Sequence, residues 1–535
     1  VEGKAIFPIC GEFDPRLVRE CAVQAGLLPA AQEIPLVAVD TGPLPARPPV
    51  LCPGCPHRGV FYLLHKLKVP VNGDIGCYTL GAAPPLAALH TCGCMGAGIG
   101  VAHGAAKAGS GEHHIAVLGD STFFHSGIPA LLNVVYNQSP VLTVILDNRI
   151  TGMTGHQENP GSGRTLQGAP APAIALEPLV TALGVKHVRT LPAFQVGEIE
   201  ATLKAFLKLE EPSVLIAAEP CALLPEGKKR WQPLAVAADR CNGCTLCFRL
   251  GCPAILTSEE TDERTGRPKA VIDAALCTGC EVCAQICPRE AISFRSAGPA
   301  AAAGPAAARA VAAGPAVEQR APSGRNFRRD TDGRTANAVN FLLAGVGGQG
   351  TILASDVLVN VASLAGLAAK QAEVHGMSQR GGNVTSHVRW GEAVHSPIAG
   401  AGEIDVLLAF EKAEALRSLP ALRRDALVLV NDEAIRPVTV TSGGQPYPRD
   451  ERVAAALAQV TTRAVFVDGA GIAAGLGSAK VANVVLLGAL SALLEAARLA
   501  PGLTPAMWLQ VIAERVPPAY LALNRRAFEA GRAAT

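Results

Sequence analysis

"HHIAVLGDSTFFHSGIPALLNVVYNQSPVLTVILDN" occupies residues 113–148. It holds two short apolar runs, HHIAVLGD (113–120) and PVLTVILDN (140–148), each ending in polar residues. Runs of that length and character read as buried strands. Between them Ile128–Tyr136 has helical spacing. Strand, helix, strand predicts a βαβ unit with a parallel sheet, so the fold class is α/β. Gly119 and Asp120 close the first strand and Asn148 closes the second. These are the carboxyl ends of parallel strands, where such sheets bind ligands. Any α/β protein also carries Asp at some strand ends, so the pattern by itself leaves a structural role open.

Working outward, the chain has 535 residues, which predicts three or four domains with real cores. A formal charge of +2 gives no electrostatic preference for nucleic acid or a membrane surface. The longest apolar runs, such as Val481–Leu494, contain Asn483 and Ser491 and are read as too short to span a bilayer. No signal peptide is visible, and the chain opens on Val1 without a methionine, so it is expected to begin inside a longer gene product. Residues 1–50 read as the tail of a preceding domain and a linker, and 51–235 as the first α/β domain. Residues 236–295 hold two cysteine clusters, and 296–337 form an Ala/Pro/Gly-rich linker. A second, Rossmann-like α/β domain is expected over 338–535, where AVNFLLAGVGGQG runs as a strand into a glycine turn.

Sixteen cysteines are unevenly spread: eight lie between Cys241 and Cys287 and none after residue 287. A disulfide framework belongs to small secreted domains, whereas clustering in a large alanine-rich chain reads as reduced metal ligands and a cytoplasmic protein. The second run is Cys277-x2-Cys280-x2-Cys283-x3-Cys287-Pro288, the bacterial ferredoxin spacing. The first run, Cys241, Cys244, Cys247 and Cys252-Pro253, has one extra residue before its last cysteine. Zinc sites usually take CxxC pairs with a longer gap. Two [4Fe–4S] clusters in a small α+β ferredoxin-like domain are therefore expected. Because the fourth cysteine of such a run ligates the other cluster, Cys241, Cys244, Cys247 and Cys287 should hold one. Cys277, Cys280, Cys283 and Cys252 should hold the other. Two clusters make an electron wire, and a wire needs a redox source elsewhere in the chain.

The stretch from Gly119 to Asn148 resembles the thiamine diphosphate motif, and ITGMTGHQ (150–157) directly after it strengthens the likeness. A hard Mg²⁺ bridging the diphosphate wants oxygen donors. Asp120 offers a carboxylate, Asn148 a side-chain carbonyl and Ile150 a backbone carbonyl, while Gly119 permits close backbone approach. Ser121, Gly152, Met153 and Thr154 join them as cofactor-binding candidates. Residues 50–295 resemble the C-terminal half of the alpha subunit of indolepyruvate:ferredoxin oxidoreductases. The likeness is carried by RPPVLCPGCPHRG (47–59), GDIGCYTLG (73–81), TCGCMGAGIGVAHG (91–104), GDSTFFHSG (119–127) and DNRITGMTGHQ (147–157). Residues 338–535 resemble the beta subunit, a gamma-type domain, through GVGGQG (345–350) and HGMSQRGGNVTSHVRWG (375–391).

The resemblance implies a reaction in which an arylpyruvate and CoA give an aryl-acetyl-CoA, CO2 and reduced ferredoxin, with thiamine as electron sink for decarboxylation. It also implies a third [4Fe–4S] cluster on Cys52, Cys55, Cys77 and Cys221, against the alternative of buried structural thiols. Cys92 and Cys94 read as packing or pocket lining, and Cys10 and Cys21 as structural. His57 and His125 are candidates to polarise the substrate keto group, although a lone histidine is more often structural. A pyrimidine-binding partner, as a separate chain or through homo-oligomers, is expected. In the second domain Gly345, Gly347 and Gly350, with Glu373 further on, fit a dinucleotide fingerprint. The reading favoured is CoA phosphate binding or scaffolding, with Arg380, Gly381 and Gly382 shaping a pocket or interface.

Overall fold

The computed structural model describes residues 3–29, 36–228, 232–295, 338–375, 381–441, 445–500 and 502–535. They divide into two compact units. One comprises the described residues within 47–295 together with 436–441 and 445; the other comprises those within 3–46, 338–435 and 446–535.

The first unit contains a six-stranded, all-parallel sheet: β1 Val71–Asp74, β2 Thr91–Gly93, β3 Ile115–Gly119, β4 Leu142–Asp147, β5 His187–Pro192 and β6 Ser213–Ala218, in the order β2-β1-β3-β4-β6-β5. The two strands that open the sequence reading are its centre. Val117, Leu118, Val144, Ile145, Val214 and Leu215 are buried, as a parallel sheet covered on both faces requires. Helices α1 His57–Leu67, α2 Ala97–Lys107 and α3 Ile128–Tyr136 pack around it. The crossover from β3 begins earlier than the apolar spacing suggested. Asp120–Thr122 is already helical, and Phe123–Gly127 forms a single π-type turn before α3. Such turns are rare and occur often at functional sites.

The ferredoxin-like part belongs to this same unit and is built as two similar halves. β7 Leu234–Val236 pairs antiparallel with β10 Ile292–Phe294, and β8 Ile255–Thr261 pairs antiparallel with β9 Pro268–Ile272. The first cysteine run lies between β7 and β8 and the second between β9 and β10, so each run follows a strand of one pair and precedes a strand of the other. The loops repeat their backbone geometry. Gly243 and Gly279, before the second cysteine of each run, have φ of 63° and 75°. Thr245 and Glu281, after it, have φ of 65° and 61°. Left-handed residues on either side of a cysteine turn backbone N–H groups inward, an anion-binding arrangement. The longer last gap of the first run is taken up by a short 3₁₀ turn that ends on Gly251, left-handed at φ 62°, directly before Cys252.

The second unit is a mixed sheet of β11 Val339–Val346, β12 Ala368–His375, β13 Asn383–Gly391, β14 Ile404–Ala409, β15 Leu422–Asn431 and β16 Ala464–Val467, ordered β12-β13-β11-β14-β15-β16. The last four in that order run parallel, while β13 is antiparallel to both of its neighbours. The glycine turn after β11 leads into α4 Thr351–Leu364, as the sequence indicates. The dinucleotide fingerprint fails on topology. Glu373 lies on β12, which is separated from β11 by β13 and forms the sheet edge. Arg380 lies outside the described residues. Helices α5 Ala482–Ala496 and α6 Leu521–Ala533 pack backbone to backbone through Gly488 and Gly531. The stretch Ala479–Ala496 is apolar and long enough to cross a membrane by composition, longer than the reading of Val481–Leu494 allowed, but most of it is buried as a core helix. Residues 36–46, read as linker, lie along this unit: Val37 is buried in its core and Arg417 donates to the carbonyl of Pro45.

Candidate functional site

The register of β3 on β4 sets Gly119 opposite Leu146, so Asp120 and Asp147 follow as neighbours at the carboxyl edge of the sheet. Asp120 is buried, and burial first, then the charge of Asp147, pushes its carboxyl up to about 7. Two adjacent carboxylates in a buried place make ionisation costly unless a cation sits with them. Asn159 Nδ2 donates to Asp120 Oδ2 at 3.0 Å, while Asn159 Oδ1 accepts from Gly161 N at 2.9 Å. Asn148 is buried, and its Oδ1 accepts from Ile150 N at 3.2 Å. Thr151 Oγ1 donates to Ser121 Oγ at 2.7 Å, which ties the loop after β4 to the turn after β3. A Cβ at Gly152 would stand 3.4 Å from Cys77 Sγ and 3.7 Å from Asn148 Nδ2, so the loop passes close to both. Thr154 bonds to Gln157 within the same loop and Met153 is half-buried. The donor set fits a divalent cation and a diphosphate: a buried carboxylate, raised by a second one beside it, stands at the same sheet edge as a buried amide, and a glycine leaves room beside them.

The thiols gather into three sets. Cys77 lies close enough to Cys52, Cys221 and Asp120 for their charges to act on it, and Cys55 to Cys52 and Cys77. Burial, helped by those neighbours, pushes the Cys77 thiol up to about 12. Cys221 reaches this place because its N–H donates to Asn148 O at 3.1 Å, and its Sγ lies 4.0 Å from His156 Nε2. The second set is Cys241, Cys244, Cys247 and Cys287, which together line a cavity closed by Pro288 and Ile292. The Cys247 thiol is pushed up to about 12 by burial and then by the other three. In the third set Cys283 is raised by burial and then by Cys252, Cys280 and Cys277. Among the described residues no disulfide forms, and no three His, Cys, Asp or Glu side chains gather closely enough to hold a single ion. Buried thiols whose charged forms would repel one another stay protonated by themselves, and fit a polynuclear core whose positive charge takes them as thiolates.

The two histidines are placed differently. His57 is buried at the start of α1, held neutral by burial with its pKa lowered to about 4, and its ring meets Tyr78 edge-on at 6.3 Å. Tyr78 in turn bonds Thr122 Oγ1 at 3.0 Å and the Asp74 carboxylate. His125 is exposed on the π turn. Neither hydrogen-bonds Asp120 or Asn148. Cys92 on β2 and Cys94 just after it are exposed, and the Met95 carbonyl beyond them accepts from Ser126 Oγ at 2.6 Å. Sequence reasoning missed Asp74, Tyr78, Asp147, Asn159 and Arg58. Asp147 was legible in principle, since it precedes Asn148 at a strand end; Asn159 lies 39 residues beyond Asp120 and carries no spacing signal.

Three family models match in chain order. Residues 74–217 match the C-terminal TPP binding domain of thiamine pyrophosphate enzymes, 270–293 a 4Fe-4S binding domain, and 340–534 the pyruvate ferredoxin/flavodoxin oxidoreductase family. Indolepyruvate oxidoreductase subunit IorB of Thermococcus kodakarensis is 38% identical over 195 residues, covering 36% of this chain and 93% of its own length. The chain belongs to the indolepyruvate oxidoreductase family. Subunit IorA of Pyrococcus abyssi is 43% identical over 270 residues, covering 46% of this chain and 41% of its own length. The chain thus joins an IorA-type segment and an IorB-type segment in one polypeptide, and spans about two fifths of the length of the IorA relatives it matches. Among solved structures, a keto/oxoacid ferredoxin oxidoreductase gamma subunit from Geobacter sulfurreducens PCA covers 37% of this chain and 95% of its own at 24% identity, with a TM-score of 0.29, a likeness too loose to add weight.

Proposed function

We propose that this chain carries the diphosphate-binding half-site and the iron–sulfur wire of an enzyme that oxidatively decarboxylates an arylpyruvate of the indolepyruvate class. CoA takes the acyl group as an aryl-acetyl-CoA, CO2 leaves, and ferredoxin receives the electrons. The observation that supports it most is the position of Cys77, with Gly152 of the diphosphate loop on one side and Cys52, Cys55 and Cys221 on the other. Thiamine diphosphate supplies an electron sink for decarboxylation when bound. Asp120, Asn148 and the carbonyl of Ile150 would hold its Mg²⁺, with Ser121 and the 152–154 turn beside the phosphates. Asn159 orients the Asp120 carboxylate and stabilises its charged form. Cys52, Cys55, Cys77 and Cys221 would hold a third [4Fe–4S] cluster nearest the cofactor. His57 is neutral and buried, which suits a positioning role through Tyr78 better than proton transfer to substrate. The pyrimidine-binding half is proposed to come from a partner chain or a second copy, and the gamma-type unit to serve CoA binding.

The test is anaerobic preparation of the full chain with iron analysis, followed by ferredoxin reduction assays with indolepyruvate, pyruvate and CoA. About twelve irons per chain, four for each of three clusters, and CoA-dependent ferredoxin reduction favouring indolepyruvate are expected. CO2 release without ferredoxin reduction would indicate a simple decarboxylase and defeat the proposal.

A further inference from the structure

Arg58 is buried, the second residue of α1, between two of the thiol sets. Its Nη1 donates to Leu250 O at 2.6 Å, two residues before Cys252. Its Nη2 donates to Cys52 O at 3.0 Å and to Leu51 O. Nε, equally buried, has no hydrogen-bond partner. Among the described residues Arg58 has no carboxylate partner. A buried guanidinium that meets only two loops' carbonyls is expensive unless negative charge stands nearby. The groups within its electrostatic reach are cysteine sulfurs, which become anionic on holding a cluster: Arg58 favours the charged form of Cys55 in the set beside the diphosphate loop, and of Cys252 and Cys280 in the ferredoxin-like part, against the burial that raises all three. It does not figure among the groups acting on Cys247 of the remaining set. Packing holds it in place, since a Cβ at Gly251 would come within 2.9 Å of Pro85 and 3.7 Å of Arg58 Nη1.

We infer that Arg58 is a positioning residue that clamps the Cys52 loop to the Cys252 loop and sets the reduction potentials of the two iron–sulfur cores on either side of it. The inference rests on the cluster assignment proposed above. Each core held by four thiolates is anionic and gains one further negative charge on reduction, with no bond made or broken. A fixed cation between two such cores stabilises the reduced form of each and so raises both potentials. The core on Cys241, Cys244, Cys247 and Cys287 is expected to shift least, since Arg58 is not among the charges acting on Cys247, and serves as the internal reference.

The experiment is a potentiometric titration of the anaerobically purified full chain, followed by EPR, for wild type, Arg58→Gln and Arg58→Lys. In Arg58→Gln two of the three couples should fall by at least tenfold in their reduction equilibrium, ~59 mV for a one-electron couple, while the third stays. Arg58→Lys keeps the charge but loses the fork and should shift the same two couples less. Wild-type iron content in Arg58→Gln with all couples unmoved, or all moved equally, overturns the inference. If Arg58→Gln does not load iron, Arg58→Lys decides: unmoved couples overturn it, and a selective fall in two supports it. A wild-type chain lacking cluster signals would instead defeat the cluster assignment, a separately recognisable outcome.

Discussion

Replacing Asn159 by alanine should weaken Mg²⁺-dependent thiamine diphosphate binding without touching either cofactor. Asn159 Nδ2 donates to Asp120 Oδ2 at 3.0 Å in a buried site, and a hydrogen bond to a charged group contributes about 1.5–3 kcal/mol. Groups that orient a metal ligand from behind typically account for about 10–100-fold in metal affinity, the same range expressed as a ratio. The pH dependence gives the sharper test. Asp120 ionises near 7 because burial and Asp147 outweigh the stabilising bond from Asn159. The metal binds the carboxylate and competes with its proton. Affinity is therefore flat above about pH 7 and falls about tenfold per unit below it, one proton being displaced per metal bound. Loss of the Asn159 donor moves the break to higher pH, so the deficit is largest below about pH 7 and shrinks in base. Calorimetric titration of the full chain with Mg²⁺ and thiamine diphosphate between about pH 6 and 9 measures both effects. A melting curve run alongside accounts for the lost acceptor at Gly161 N–H. Affinity within about twofold of wild type at every pH would refute the assigned role.

Gly531→Ala should lower the melting temperature of the second unit: the new Cβ would meet Val485 O at 1.8 Å, and overpacking of about 1–3 kcal/mol exceeds the ~1 kcal/mol gained in helix propensity. Gly475→Ala, facing open space, should do the opposite, and equal shifts for the two would contradict the packing account. Cys287→Ala should remove about four irons, and adding Cys241→Ala should remove no more, whereas adding Cys277→Ala should; iron analysis of the three variants checks the crossed assignment. Asp74 is raised to about 6 by burial, so the folded chain holds a proton that the unfolded chain releases from about pH 4 upward, and stability falls as pH rises through 6. Asp74→Asn should flatten that slope by about 1.4 kcal/mol per pH unit, measured by denaturant unfolding of the cofactor-free chain.

Much of this architecture is local and so was legible in the chain. The parallel strands at 115–119 and 142–147, the glycine turn into Thr351–Leu364 and the spacing of both cysteine runs depend on residues near one another in sequence. Apolar periodicity reports which faces are buried, and thiol spacing reports how tightly a loop can wrap. The crossed grouping of the cysteine runs was expected from the ferredoxin spacing alone, and the fold brings Cys287 to the Cys247 set because each run's last cysteine precedes a strand of the opposite pair. Other features have no local signature. Glu373 had the right distance from Gly350 for a dinucleotide site, but strand order put β13 between β12 and β11, and spacing along a chain cannot report strand order. Asn159 meets Asp120, and Cys221 meets Asn148, through returns of 39 and 73 residues made by the tertiary fold. Asp147 acquires its influence from a register in which Gly119 faces Leu146. Arg58 looked like one basic residue among many; only the packing of α1 between the Cys52 and Cys252 loops leaves its charge buried among thiols. Sequence determines which groups exist and how adjacent ones are spaced, whereas electrostatic coupling falls off with distance through space, and that distance is set by the fold.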